Sequence, residues 1–425
     1  MGLPFKFPKV FYGWWIVGAC FLLALYTGGV VYFGFTAIFE PIVSEFGWSY
    51  AQISFAASLR GLEMGLLSPF VGILVDRWGP RRLIFGGVVI TGLGLIVLSG
   101  TTSLGMFYGA FALLAVGMSA CTSVAMMTAV ANWFRKRLGI AAGITASGFG
   151  FGGLLIPVVV RLIDVYEWRT AIFVLALGLF VMGIPLALLI RHKPEDYGYL
   201  PDGEKDKPMR EDKDFIPPPV SEEIVSVKNA LKSRTFWHIT LAMTFHVTIV
   251  TAVITHVMPY LSEIGISRSM SGFIAGAIPV MSVAGRLMCG WFGDRFDKRR
   301  LAAASLSLLA LGLLCFEYAS ASGTWLLIPF LIIFGVGYGG NVPMRVSLQR
   351  EYFGIGNFGA IHGFQLGIVA LGSIAGPPLA GWVFDHWGSY QGTWLIFVVI
   401  AILGAGIVMT TPTFSARDRT IDITS

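Results

Sequence analysis

A glycine-spaced basic motif occurs twice in this chain, each time closing an apolar run. The first copy is Gly72-Ile-Leu-Val-Asp76-Arg77-Trp-Gly-Pro-Arg81-Arg82 and the second is Gly290-Trp-Phe-Gly-Asp294-Arg295-Phe-Asp-Lys-Arg299-Arg300. The glycines, the aspartates and the arginine pairs all share an offset of 218 residues in a chain of 425. A repeat of half the chain, with apolar spans in both copies, points to a duplicated membrane architecture. The copies differ at one informative place. Arg286, inside the second apolar run, stands where the first copy has Ser68, so it is not part of the shared scaffold.

Composition explains why the runs cannot sit in water. The chain is 55% hydrophobic and 13% charged, with mean hydropathy +0.75, whereas soluble domains carry roughly twice that charged share. Apolar surface on this scale is buried in lipid, where backbone groups must be satisfied within helices. Twelve runs are long enough, near 14–39, 51–75, 83–101, 104–131, 139–161, 169–190, 236–261, 272–293, 301–320, 325–349, 359–383 and 391–411. The expectation is an all-α integral membrane protein of twelve transmembrane helices in two pseudo-symmetric six-helix bundles. The first run is too long for a signal-peptide core and lacks a small-residue cleavage site, so it is expected to remain as a helix. Cys20, Cys121, Cys289 and Cys315 are scattered singly and read as packing residues, not as ligands or disulfides.

Loop charge orients the set. Basic residues gather at Lys6 and Lys9, at Arg77/Arg81/Arg82, at Arg135/Lys136/Arg137, through 191–234, at Arg295/Lys298/Arg299/Arg300 and at Arg417/Arg419. Alternating helices put all of these on one side. The other side carries Glu40, Glu45, Asp164, Glu167, Arg169, Glu263, Arg268 and Asp385. The positive-inside rule then makes both termini cytoplasmic, in a multi-pass protein of the plasma membrane. Residues 192–234 are rich in Lys, Glu, Asp and Pro and read as a solvated cytoplasmic linker. The expected division is therefore a first bundle over 1–191, the linker 192–234 and a second bundle over 235–425. The net charge of +6 follows this distribution and does not signal a nucleic-acid partner.

Ionisable and polar residues within the spans are the functional candidates, because each is costly in hydrocarbon unless paired or hydrated. Arg286 lies eight residues before Asp294, roughly 12 Å into a core of about 30 Å. It reads as an anion-binding charge facing an aqueous cavity, or as a structural partner of Glu63, the one carboxylate placed deep enough. Arg60 and Glu63 share a helix face and can pair; alternatively Glu63 carries a proton. His256, at the outer end of the seventh run, is the second titratable candidate. His246, Tyr338, Asn341, His362 and Gln365 fit cavity lining and interhelical bonding equally. Arg345, near the end of the tenth run, is expected to snorkel or to pair with the gate. Arg286 is then the only basic residue assigned to the midplane, a count that favours a monoanion. Asp76, Arg77, Arg81, Asp294, Arg295 and Arg299 are read as the gate, whose charges exchange partners as one side opens. The glycines 148–153 lack the strand–turn–helix setting of a dinucleotide loop. No nucleophile–base pair or metal cluster is evident, so no catalytic residue, metal or cofactor is expected.

The doubled motif resembles the signature of the major facilitator superfamily. Tyr12-Gly-Trp-Trp, Asn132-Trp-Phe-Arg-Lys-Arg-Leu-Gly-Ile-Ala-Ala-Gly143 and Gly376-Pro-Pro-Leu-Ala-Gly381 are similar to the monocarboxylate transporter and oxalate/formate antiporter group. The resemblance spans the chain apart from the central loop. It implies a cavity between two bundles that opens alternately to each side. It also implies that an arginine on the eighth helix, here Arg286, binds the substrate carboxylate. Mammalian carriers have an aspartate one turn earlier, where this chain has Ser282, and a lysine in the first helix; the oxalate exchanger has a lysine in the eleventh. No Lys or Arg occurs here at 14–39 or 360–382. The expected function is secondary transport of a small organic anion, a monocarboxylate moved with a proton, by a lipid-embedded monomer. The alternatives are a carrier of an unrelated solute and a non-transporting membrane sensor.

Overall fold

The computed structural model describes residues 11–59, 67–134, 137–192, 194, 197, 227–293, 295–353 and 358–412. Their regular structure is helical throughout. The first span, Tyr12–Phe46, contains a π-helical turn at Gly28–Phe33. Gly28 and Gly29 lie there against Phe149 and Gly152 of the fifth span, where a β-carbon would clash. Pieces Tyr50–Ser58 and Ser68–Trp78 belong to the second span, followed by Pro80–Ser99 and Leu104–Trp133. Leu138–Leu189 is one run of 52 residues, too long for a single crossing. It breaks at Glu167, whose φ of 64° and ψ of 159° are non-helical, so it supplies the fifth and sixth spans.

The second half begins with Arg234–Glu263, Arg268–Gly293, Lys298–Glu317 and Leu327–Phe353, the seventh to tenth helices. Phe358–Trp387 and Thr393–Met409 are the eleventh and twelfth. The protein is thus an all-helical integral membrane protein with twelve transmembrane helices in two pseudo-symmetric six-helix bundles. The symmetry is visible in how the bundles meet. The second helix packs on the eleventh, and the eighth packs on the fifth. These are one contact repeated, because each helix of the first half matches the helix six places later.

Small residues set the closest approaches, as expected where dispersion rather than water drives packing. Gly153 of the fifth span and Gly276 of the eighth helix each present a backbone carbonyl where the other's β-carbon would be. Within the second half, Gly285 abuts the Val336 carbonyl and Gly339 abuts that of Ser282, drawing the eighth and tenth helices together. All four cysteines are free thiols, three of them buried.

Candidate functional site

The tight crossing of the eighth and tenth helices places Arg286 beside Tyr338, its guanidinium carbon 5.9 Å from the ring centroid. Arg286 makes a long hydrogen bond, 3.5 Å from Nη1 to the Ala146 carbonyl across the boundary between halves. Its Nε is buried with no hydrogen-bond partner, and no carboxylate among the described residues forms an ion pair with it. His246 of the seventh helix bonds through Nε2 to the Tyr338 carbonyl at 3.1 Å. A carbonyl only accepts, so Nε2 carries the proton. Three of the expected residues, Arg286, Tyr338 and His246, are therefore brought together.

Asn341 lies one turn along the tenth helix from Tyr338 and is 1% exposed, with both amide atoms unpartnered. Gln365 lies nearer the motif-bearing, basic end. Its Nε2 reaches Thr240 Oγ1 at 3.4 Å, and its Oε1 is buried and unpartnered. The Nε of Arg345 is buried without a partner. It forms no ion pair with a described carboxylate; Asp294 and the side chain of Asp76, the gate carboxylates expected near it, lie outside the described residues. The four-residue spacing from Asn341 puts both on one stripe of the tenth helix.

His256 sits elsewhere, at the acid-rich end. Its Nε2 is 2.9 Å from both the Pro377 carbonyl and Ser54 Oγ, while Nδ1 is 2.6 Å from the Tyr390 hydroxyl. Pro377 requires a proton on Nε2, so Tyr390 donates to Nδ1 and the neutral ring is fully satisfied. Ser54 belongs to the first half, which makes His256 part of a seam between bundles. The seam continues outward. Asp385 accepts from the amides of Tyr50 and Ala51 at 2.8 and 2.9 Å, capping the positive end of the second helix. Arg268 reaches Asp164 at 2.7 Å, Glu40 at 3.8 Å and the Ala37 carbonyl. Sequence reading used these residues only for their side of the membrane and missed that they fasten the halves. Between this seam and Arg286 lies a void of about 10 Å³ lined by Tyr32, Ala57, Thr251 and Ser373, room for one water at most. A pocket of about 440 Å³, lined by Tyr260, Glu263 and Glu317, lies at the acidic end of the second half and is remote from Arg286.

At the basic end, Arg299 binds Asp297 at 2.6 Å and the Thr411 carbonyl at 2.7 Å. Its guanidinium holds the Asp297 carboxyl below the usual carboxylate range. Arg295 stacks on Trp291, 3.9 Å from the ring. Arg77 is exposed and Arg81 half-buried. Glu63 and Asp294 lie outside the described residues, as does the side chain of Asp76.

Known proteins agree with this architecture. The profile of the Major Facilitator Superfamily matches residues 14–263 and 239–420. Monocarboxylate transporter 13 of Bos taurus is 24% identical over 409 residues, covering 96% of this chain and 91% of its own. Monocarboxylate transporter 12 of Mus musculus is 27% identical over 410 residues, covering 92% and 83%. A bacterial homolog of the human lysosomal transporter Spinster, in an inward-facing and occupied conformation, shares the fold. It aligns with a TM-score of 0.68 at 16% identity, over 94% of this chain and 97% of its own. With a doubled motif, two bundles related helix for helix and a profile match along both halves, the chain belongs to the major facilitator superfamily.

Proposed function

We propose that this protein is a secondary transporter of small monocarboxylates, moved with a proton by alternating access. One observation carries the reading: Arg286 lies beside Tyr338 with its Nε buried and unpartnered and with no ion pair to a described carboxylate. A guanidinium kept in that state needs an anion, and a carboxylate fits it through paired, charge-assisted hydrogen bonds. The names of the relatives, monocarboxylate transporters 12 and 13, favour the same cargo.

In this reading the basic end is cytoplasmic, both termini with it, and 192–234 links bundles 1–191 and 235–425 in a plasma-membrane protein. The seam at Asp385, His256 and Arg268 closes the outside. The motif residues Asp76, Arg77, Arg81, Asp294, Arg295 and Arg299 close the inside in the alternate state. Tyr338, Asn341, His246 and Gln365 shape the binding site beside Arg286. Glu63 and His256 are the residues proposed to couple the proton. Protonation of His256 at Nδ1 would end the Tyr390 donation and loosen the outer seam, which ties charge to opening.

Proteoliposomes loaded with pyruvate test the proposal. Labelled pyruvate should exchange inward, and an inward proton gradient should accelerate net uptake. Glu63→Gln should abolish that acceleration while counterflow persists. Absence of exchange with every organic acid tried would reject the anion reading and favour an unrelated solute.

A further inference from the structure

Asn341, Arg345 and Gln349 recur every four residues along the tenth helix, so they form one stripe about 12 Å long. All three hold buried polar atoms without partners: both amide atoms of Asn341, Nε of Arg345 and Nε2 of Gln349. Arg286 Nε and Gln365 Oε1, on the flanking eighth and eleventh helices, complete the set. Four of these six atoms are donors and two are acceptors. Buried polar groups are nearly always satisfied, and each orphan is costly. A row of orphans around two guanidiniums is therefore not ordinary packing.

Among the described residues, no neighbour of Arg345 neutralises it. His362 donates from Nδ1 to Gln349 Oε1 at 2.5 Å, which turns the Gln349 amide nitrogen outward from that bond as a free donor. His246 donates to the Tyr338 carbonyl and offers Arg345 no negative charge. Glu351, the carboxylate nearest in sequence, is held by Lys298 at 2.6 Å. Arg345 is thus a second cation with a buried, unpartnered Nε, about two turns nearer the basic end than Tyr338.

We infer that Arg345 and Gln349 form a second anion-binding station on the basic-end side of Arg286, with Asn341 between the two sites. Its ligand is a carboxylate or a small inorganic anion. Building on the transport reading above, a monocarboxylate leaving Arg286 passes to Arg345 before release. Two stations roughly 10 Å apart along the helix axis, each with one fixed charge, spare the anion an uncompensated step across a low-dielectric gap (distance by helical rise, about 1.5 Å per residue).

Equilibrium binding of labelled pyruvate to the full-length protein in detergent, with and without chloride, tests this. Arg286→Ala should retain a weak saturable site that chloride displaces, and the double change with Arg345→Gln should lose it. Arg345→Gln alone should keep Arg286 binding yet slow pyruvate counterflow by about tenfold or more, with partial recovery in Arg345→Lys. Chloride should raise the thermal midpoint of the wild type and not that of Arg345→Gln, a readout independent of transport. Wild-type binding stoichiometry and counterflow in Arg345→Gln would overturn the station and leave the transport reading standing. Arg345-dependent chloride binding in a protein that exchanges no organic acid would do the reverse: the station would hold inorganic anion, and the monocarboxylate reading would fall. Loss of all pyruvate and chloride binding in Arg286→Ala would also refute a separate station.

Discussion

His256 Nε2 lies 2.9 Å from Ser54 Oγ, joining the seventh helix to the second across the boundary between bundles. The same nitrogen must donate to the Pro377 carbonyl, which fixes Nδ1 as the acceptor of the Tyr390 hydroxyl. Tyr390→Phe would leave Nδ1 buried without a donor, at a cost of about 1–3 kcal/mol. The expected result is a lower thermal midpoint in detergent, together with greater reactivity of a cysteine placed at Ser54 towards a membrane-impermeant thiol reagent. An unchanged midpoint and reactivity would show that Tyr390 only packs against the ring.

Gly153 and Gly276 bring the fifth and eighth helices into backbone contact, with no room for a β-carbon on either. Gly153→Val should force the halves apart at this level and abolish uptake. Gly139, whose β-carbon would meet nothing within 4 Å, provides the control: Gly139→Ala should transport like the wild type. Size-exclusion profiles of both proteins would separate a spread interface from a failure to fold. Full uptake by a well-folded Gly153→Val would show that the contact is dispensable.

The twelve spans and the two halves were legible because lipid imposes length and apolarity on every helix, and because the motif repeats at a fixed offset. The site was legible in part. Arg286 stood out as a charge with no counterpart at Ser68. Which partners it lacks could not be read, since pairing depends on how the eighth and tenth helices cross. Arg345 reads as a helix-end residue from its distance along the chain, and only the packed structure shows its Nε buried with no described partner. The seam was invisible for a similar reason. Asp385 and Tyr50 lie 335 residues apart, and a loop carboxylate reads the same whether it meets water or a helix N-terminus.

Asp297 and Arg299 predict an acid-dependent loosening at the basic end. The folded-state pKa of Asp297 is lowered, first by the side-chain hydrogen bond from Arg299. Its contribution is therefore present above the unfolded value of about 3.8 and disappears as pH falls through the lower folded value. Asp297→Asn should cost little stability at neutral pH, under about 1 kcal/mol for a partly exposed pair, read as a slightly lower thermal midpoint. The gap from the wild type should close in acid below about pH 4. A gap that stays constant across this range would mean that the carboxylate charge contributes nothing.

Arg286 carries the most consequential prediction. Arg286→Ala removes the guanidinium that faces the proposed carboxylate, and uptake and counterflow of pyruvate should both vanish. Arg286→Lys keeps the charge but presents a point cation in place of a planar fork, so it cannot make the two-pronged contact. It should retain roughly 1–10% of activity, the tenfold to hundredfold loss expected for about 1.4–2.8 kcal/mol of lost binding. Its apparent affinity should fall further than its maximal rate, because the defect lies in holding the anion and not in moving the bundles. The fold should survive both changes, since the hydrogen bond of Arg286 to the Ala146 carbonyl is long and it has no described ion pair. Unaltered midpoints with lost transport would place Arg286 in the binding site; full transport by Arg286→Ala would show that the cargo is not held by this charge.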